Sequence, residues 1–480
     1  MIEILKAGLL STVQDLGRTG SRHFGVISAG AMDQVALRVA NRLVGNEDDA
    51  AAIEITAGLP FSVVFRQATR IALTGADCRA TLDGTPIHAW WSVPVAAGQT
   101  LALQSASHAM RAYLGVAGGI AVPLLLGSRS TDLKTAFGGA NGRALADGDT
   151  LAIGEHSAAQ RDVATVATTT TDVSTTGTAT AQQLTTIARA ALRAALDQPA
   201  FGVKSPAWCR LAYAGALPSA TAESTSARGN GAEALVVRVI PAAEYTMFDA
   251  AAQQAFWHAD WTITPNSNRM GYRLSGPALK RTAKANDVEL LSHAVLPGTI
   301  QVPPNGQPIL LMGDAQTAGG YPKIGAVVTA DLWLLAQARL TTTIRFVQCT
   351  RADALEAQRA LLRYLAQVDI AIARRPVQRE TKRAVAHNAQ PDNAHMVQEK
   401  SVAPTTSTPA PASSESAKQS KPTKTDSKNK KERKEPEGRS IVNKTVPGNI
   451  GKLIMALSDT DAELPVSELV SELLSGVLKD

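Results

Sequence analysis

The run Gly313-Asp314-Ala315-Gln316-Thr317-Ala318-Gly319-Gly320-Tyr321-Pro322-Lys323-Ile324-Gly325 gathers an amide, a hydroxyl, a phenol and an ammonium within one short segment. Such groups hydrogen-bond a carbonyl, an amide or an anion. Gly319 and Gly320 permit positive φ and a close approach of a ligand to the main chain, while Pro322 fixes its own φ and pushes Tyr321 out of the helical region. Strand-like sequence on both sides, at 308–312 and 324–329, makes the run a rigid turn at the mouth of a sheet. A tight hairpin would account for the two glycines by themselves. The added side chains argue for a site, with Tyr321, Lys323 and Gln316 as catalytic candidates and Thr317, Gly319 and Gly320 against the ligand.

Three further clusters share this character. Thr12-Val13-Gln14-Asp15-Leu16-Gly17-Arg18-Thr19-Gly20, followed by Ala29-Gly30-Ala31-Met32-Asp33, makes Gln14, Asp15, Arg18 and Asp33 a candidate site in the first part of the chain. Asp15 and Arg18 can equally pair with each other across the turn. Ser267-Asn268-Arg269-Met270-Gly271-Tyr272-Arg273-Leu274 alternates as a half-exposed strand would, which places Arg269 and Arg273 on one face. Two guanidiniums there suit a carboxylate or phosphate of a substrate, and two ordinary surface arginines would give the same pattern. In Pro297-Gly298-Thr299-Ile300-Gln301-Val302, Gln301 faces a pocket, whereas Asn305 and Gln307 beyond it are turn residues.

Several standard signatures are missing. The sequence has no G-x-x-x-x-G-K-[ST] phosphate loop, no H-E-x-x-H, no G-x-S-x-G elbow and no paired C-x-x-C. ATP use therefore needs another geometry or another subunit. The 3 cysteines, Cys78, Cys209 and Cys349, lie far apart, which argues against a disulfide framework and against a metal site.

The elements that must position these groups are mostly strands. Within residues 1–155, short aliphatic runs at 62–65, 70–73, 91–95, 100–104 and 111–116 are punctuated by Gly-containing turns, a rhythm that favours a β-barrel or sandwich. One helix is predicted at 33–44, with Asp33 as N-cap and Gly45 as C-cap. Residues 156–232 form an Ala/Thr-rich linker or insertion, containing a possible helix at 182–196. A second β-rich domain spans 233–367 and ends in a helix over 353–367, whose Leu355, Leu361, Leu362 and Leu365 fit one buried face.

Residues 368–480 read as a disordered basic tail with a possible terminal helix at 465–478. From residue 371 onward there are 18 Lys/Arg against 14 Asp/Glu, so only +2 of the formal net charge of +6 belongs to the rest of the chain. The nearly neutral body excludes a dedicated nucleic-acid surface, and the tail's charge serves solvation or contact with RNA, anionic lipid or an acidic partner. No stretch approaches the ~20 apolar residues of a membrane helix. No signal-peptide pattern opens the sequence. The expectation is a cytoplasmic protein without membrane contact.

The matching stretches Val13-Gln14-Asp15-Leu16-Gly17-Arg18, Gly30-Ala31-Met32-Asp33, Ile53-Glu54-Ile55-Thr56, Leu73-Thr74-Gly75-Ala76-Asp77, Gly127-Ser128-Arg129-Ser130-Thr131, Asn268-Arg269-Met270-Gly271-Tyr272-Arg273-Leu274, Pro297-Gly298-Thr299-Ile300-Gln301-Val302 and Gln316-Thr317-Ala318-Gly319-Gly320-Tyr321-Pro322-Lys323 occur in one order. Over about 1–155 and 234–350 the chain thereby resembles the biotin-dependent carboxyltransferase-like family, which includes an allophanate hydrolase component, a 5-oxoprolinase component and a kinase-inhibitor antagonist. The resemblance implies a mainly β protein of two cyclophilin-like β-barrel domains with a few helices. It implies an ATP-dependent lactam hydrolase subunit that opens 5-oxoproline to glutamate, with a second cyclophilin-like subunit and a TIM-barrel-like subunit as partners. ATP would be bound by, or shared with, a partner subunit. The alternatives it implies are carboxyl transfer to urea or a related small-molecule amide, with biotin on separate partners, and non-catalytic binding of a kinase-inhibitor-like protein. Lys323 and Arg269 would then neutralise a carboxylate or phosphate, Gln316 and Gln301 orient the amide, and Tyr321 donate to its carbonyl. Two stretches depart from the family pattern: Ser292-His293-Ala294 replaces an acidic turn, and Ile240-Pro241-Ala242-Ala243 lacks a Gly-Pro pair.

Overall fold

The computed structural model describes residues 1–374 apart from 57, 59, 107–108, 155–198, 207–233 and 287. The helix at 182–196, most of the 156–232 insertion, the tail beyond 374 and the terminal helix at 465–478 lie outside the described residues. What is described is mainly β with few helices, as the strand rhythm predicts.

The strands of the first half fall into a seven-stranded and a six-stranded sheet. Ile2–Ala7 lies between Phe61–Phe65 and Thr150–Ile153 in one sheet, and Arg111–Val116 lies between Ala52–Thr56 and Thr69–Gly75 in the other. Their aliphatic side chains, among them Ile2, Ile4, Ile53, Phe61, Phe65, Ile71 and Leu114, make one core. The helix Gln34–Leu43 lies across Thr69–Gly75 and Arg111–Val116. Its apolar residues recur at helical spacing, so Val35, Ala36, Val39, Ala40 and Leu43 are buried on the sheet. Asp33 caps it by accepting from the amide of Ala36 at 2.9 Å. The C-cap is Val44, and Gly45, at φ 77°, occupies the left-handed position just beyond it.

The second half is a closed barrel in the order Leu235–Pro241, Lys323–Val327, Thr299–Gln301, Ile309–Leu311, Gly271–Ser275, Trp261–Ile263 and Thr343–Gln348. A parallel pairing of Leu235–Pro241 with Thr343–Gln348 closes it. Val237, Val239, Phe256, Trp261, Ile300 and Phe346 fill its interior.

The last helix, Arg351–Ala373, is longer than its apolar pattern predicts and presents a different face. Leu355 and Leu362 are exposed, whereas Ala357, Tyr364, Leu365, Val368 and Ile372 are buried. The cause is its partner. The helix packs on Gln34–Leu43 of the first half, where Arg42 Nη1 donates to the Leu365 carbonyl and to Asp369 Oδ2, both at 2.9 Å. That docking selects the Tyr364/Val368 stripe.

A buried ionic cluster ties the two halves together. Glu54, from the strand Ala52–Thr56, accepts from Arg269 Nη1, from Tyr113 Oη at 2.8 Å and from the Met32 amide at 2.8 Å. Arg269 also donates through Nε and Nη2 to Asp314, each at 2.8 Å, and through Nη2 to the Gly30 carbonyl at 2.7 Å. Burial alone would lower the pKa of this guanidinium, but Asp314 and Glu54 raise it above its ordinary value. Beside it, Arg111 Nη1 reaches Tyr272 Oη at 3.0 Å. Gln337 Nε2 donates to Asp33 Oδ2 at 2.8 Å and to the Arg111 carbonyl at 3.0 Å.

Two stability effects are expected. Removing one partner of a buried pair strands the remaining charge, so Glu54→Ala is expected to cost about 3–5 kcal/mol in urea unfolding; a loss near zero would contradict the lock. Asp33 is fully buried, and burial pushes its carboxyl up to about 6. Below about pH 4 both folded and unfolded states hold its proton; between there and pH 6 only the unfolded chain ionises, so stability is lost as pH rises. The unfolding free energy of Asp33→Asn, relative to the unaltered chain, should therefore improve by roughly 2 kcal/mol between pH 4 and pH 7. A difference that does not change with pH would contradict it.

Candidate functional site

Gln301 and Lys323 form the centre of the candidate site. They sit on neighbouring antiparallel strands as direct register partners, and opposed residues carry their side chains on the same side. Ile300, Val302 and Ile324 point into the barrel core, so strand alternation turns Gln301 and Lys323 to its outer wall. Both are nonetheless buried. A two-stranded ladder, His293–Ala294 paired with Ala318–Gly319, lies against them.

That ladder supplies the contacts of the lysine. Lys323 Nζ donates to the Gly319 carbonyl at 2.9 Å and lies 3.2 Å from His293 Nδ1. His293 Nε2 in turn lies 3.2 Å from Glu244 Oε1. Burial pulls the Lys323 ammonium below its ordinary pKa, and the charge of Glu244 opposes that shift. On the other side, Gln316 Nε2 donates to Gln301 Oε1 at 3.2 Å, which fixes the amide with its NH2 group free. Gln301 Nε2 is buried without an acceptor. A buried donor left unpaired costs about 1–3 kcal/mol. An incoming carbonyl or carboxylate oxygen would satisfy it, beside an ammonium that can stabilise the same oxygen.

The remaining candidates of the run divide. Tyr321 is 46% exposed, unlike the buried Gln301 and Lys323. Thr317 uses its carbonyl to accept from the Val295 amide at 3.1 Å, holding the ladder segment. The left-handed backbone expected at Gly319 and Gly320 is absent: neither has positive φ. Close approach is what requires them. A Cβ on Gly319 would stand 2.4 Å from Gln301 Nε2, and one on Gly320 would stand 3.0 Å from the Leu290 carbonyl.

Arg269 and Arg273 do not share a face. The strand begins only at Gly271, and the bridge between Asn268 and Gly271 puts Arg269 in a turn, so alternation does not extend back to it. Arg273 is exposed, while Arg269 is committed to the ionic cluster.

In the first half, Asp15 and Arg18 are not ion-paired with each other among the described residues. The carboxylate of Asp15 accepts from Ser128 Oγ at 2.6 Å, Ser130 Oγ at 2.5 Å and the Gly17 amide at 2.8 Å, organising the 128–130 loop. Arg18 donates to the Ser130 carbonyl and stands over the Phe137 ring at 4.9 Å, with its pKa lowered by burial. Gln14 Nε2 donates to Thr12 Oγ1 at 3.0 Å and to the Thr131 carbonyl at 3.2 Å. Asp33 caps its helix. The link to the second-half site is Arg22, whose Nη2 donates to the Val295 carbonyl at 2.5 Å and the Gln316 carbonyl at 3.3 Å.

Sequence reasoning misses Glu54 and Glu244. Glu54 carries a signal, as the lone acid in an otherwise buried Ala-Ile-Glu-Ile-Thr strand. Glu244 carries none, because its role arises only when the turn after Leu235–Pro241 meets the ladder.

Residues 24–348 match the family described as carboxyltransferase domain, subdomain A and B. The chain is 43% identical over 368 residues to a 5-oxoprolinase subunit of Escherichia coli, covering 77% of this chain and 97% of that one. It is 36% identical to the corresponding 5-oxoprolinase subunit of Haemophilus influenzae, with the same two coverages. Among solved structures, the Kluyveromyces lactis urea carboxylase superposes with a TM-score of 0.58 at 26% identity, over 76% of this chain and 29% of that one. The chain thus spans under a third of that larger protein.

Gly319→Ala tests the packing of the site. Its neighbour is the flexible end of Gln301, so the expected cost is about 1 kcal/mol, with the Gln301 amide displaced from its seat beside Lys323. A thermal melt and a crystal structure of the variant would read both. An undisturbed Gln301 would contradict the geometry.

Proposed function

The chain belongs to the carboxyltransferase-domain family, and from that premise we propose that it serves as a subunit of an ATP-dependent 5-oxoprolinase, which opens 5-oxoproline to glutamate. The observation that carries this reading is the unpartnered Gln301 Nε2 beside the desolvated Lys323 ammonium. A lactam carbonyl meeting both donors gains stabilisation as negative charge develops on its oxygen. Gln316 keeps the Gln301 amide in the donating orientation, and Tyr321 stands where the substrate enters.

The donor set suits one carbonyl or carboxylate rather than a triphosphate. Lys323 is the cation opposite Gln301 in the strand register, and the Arg269 guanidinium is already matched by Glu54 and Asp314. ATP is therefore assigned to a partner subunit, which supplies activation of the amide from its own groups. The proposed assembly contains a second cyclophilin-like subunit and a TIM-barrel-like subunit, in the cytoplasm. No helix among the described residues is long and apolar enough to cross a membrane.

A second reading is supported by the urea amidolyase of Lachancea kluyveri, 30% identical over 72% of this chain. The same two donors suit the planar ureido oxygen of urea or biotin. Carboxyl transfer would then require biotin on a separate partner.

Turnover of 5-oxoproline by the reconstituted subunits decides between them. Lys323→Met is expected to lower kcat/KM by roughly 10²–10³, the scale for removing a donor to a developing oxyanion. Turnover of urea with carboxybiotin but not of 5-oxoproline would favour the second reading, and full activity of Lys323→Met would overturn both.

A further inference from the structure

We propose that Arg22, a residue of the first half, is the specificity-determining residue that receives the carboxylate of 5-oxoproline while Gln301 and Lys323 receive its lactam carbonyl. This role rests on the 5-oxoprolinase reading of the site. That substrate is an anion whose carbonyl and carboxylate-bearing carbons flank the ring nitrogen, so a site that selects it needs a fixed cation besides the carbonyl donors. Arg269 does not serve, because Glu54 and Asp314 already neutralise it.

Three hydrogen bonds place the Arg22 guanidinium. Nη1 donates to Ser28 Oγ at 3.0 Å, and Nη2 donates to the Val295 carbonyl at 2.5 Å and the Gln316 carbonyl at 3.3 Å. Val295 follows one strand of the ladder, Gln316 comes shortly before the other, and the Val295 amide donates to the Thr317 carbonyl at 3.1 Å. The guanidinium therefore closes one end of the ladder. From there the Gln316 side chain runs to Gln301, donating to Oε1 at 3.2 Å. A single residue thus links the cation to the amide that would bind the carbonyl. The first-half segment that carries Ser28 lies against the same loop, since a Cβ on Gly313 would stand 3.1 Å from Met32 Sδ and 3.8 Å from the Gly30 carbonyl.

All three acceptors of Arg22 are neutral. Among the described residues no carboxylate pairs with it, whereas Arg42, Arg238 and Arg269 each hold one. Burial lowers its pKa with no acid opposing the shift, while at Lys323 Glu244 does oppose it. A guanidinium has five N–H donors, so these bonds leave some unused. Nε is one of them: it has no partner among the described residues, and it is not sealed from solvent as Gln301 Nε2 is. A half-buried charge with neutral acceptors and a reachable donor is completed by a carboxylate.

Calorimetric titration of the reconstituted complex with 5-oxoproline and with 2-pyrrolidone, the same lactam without its carboxylate, tests the assignment. The unaltered complex should bind 5-oxoproline roughly 10- to 100-fold more tightly, the range of one charge-assisted hydrogen bond. Arg22→Met should abolish that preference, and Arg22→Lys, which keeps the charge, should retain part of it. Losing the brace on Gln316 weakens both ligands alike, so the ratio of their affinities isolates the carboxylate contact. If Arg22→Met does not assemble, Arg22→Gln, which can still donate to a main-chain carbonyl, reads the same ratio. An equal loss for both ligands, with the preference intact, overturns the proposal and leaves Arg22 as a brace alone. An unaltered complex that shows no preference overturns it as well. If the preference depends on Arg22 and 5-oxoproline is still not turned over with ATP, the carboxylate contact stands and the 5-oxoprolinase reading fails.

Discussion

Arg269 is a full positive charge removed from water, and most of the architecture follows from how it is neutralised. Glu54 reaches it from the first half, and Asp314 from the second. Taking such charges out of water costs several kcal/mol each unless every donor finds a partner. Here Nε, Nη1 and Nη2 all do, the last also meeting the Gly30 carbonyl. The cluster forms only if the two halves dock in one orientation. It converts apolar contact, which tolerates sliding, into a single register.

That register reaches the site through the main chain. The Asp314 amide donates to the Arg269 carbonyl at 2.9 Å, so the loop leading to Gln316 starts from the ionic cluster. Gln316 then orients Gln301, and Arg22 braces the far end of the same loop from the first half. The candidate site is therefore a product of strand pairing and of inter-half electrostatics together. Gln301 and Lys323 are neighbours because of their register, and they are buried because the ladder is held against them.

Local features are legible in the sequence, and long-range ones are hidden from it. The cap at Asp33, the helix that follows and the strands flanking the 313–325 run depend on neighbours a few residues away, so spacing alone reveals them. The buried face of the last helix cannot be read the same way, because its partner lies over 300 residues earlier. Arg269 has the look of a ligand-binding arginine since nothing near it in sequence reveals Glu54. Gly319 stands out in the sequence for its conformational freedom, yet its constraint is the Gln301 side chain, not its own φ. The Glu244–His293–Lys323 chain joins three separate segments, and no spacing rule connects them.

In the proposed function, one ligand oxygen is received by Gln301 and Lys323 on the outer wall of the second barrel. A structure of the assembled complex with 5-oxoproline bound tests it most directly. The predicted result is the lactam carbonyl or carboxylate within hydrogen-bond distance of both Gln301 Nε2 and Lys323 Nζ. A ligand seated against the Asp15–Arg18 loop of the first half, or wholly within a partner protein, would contradict it.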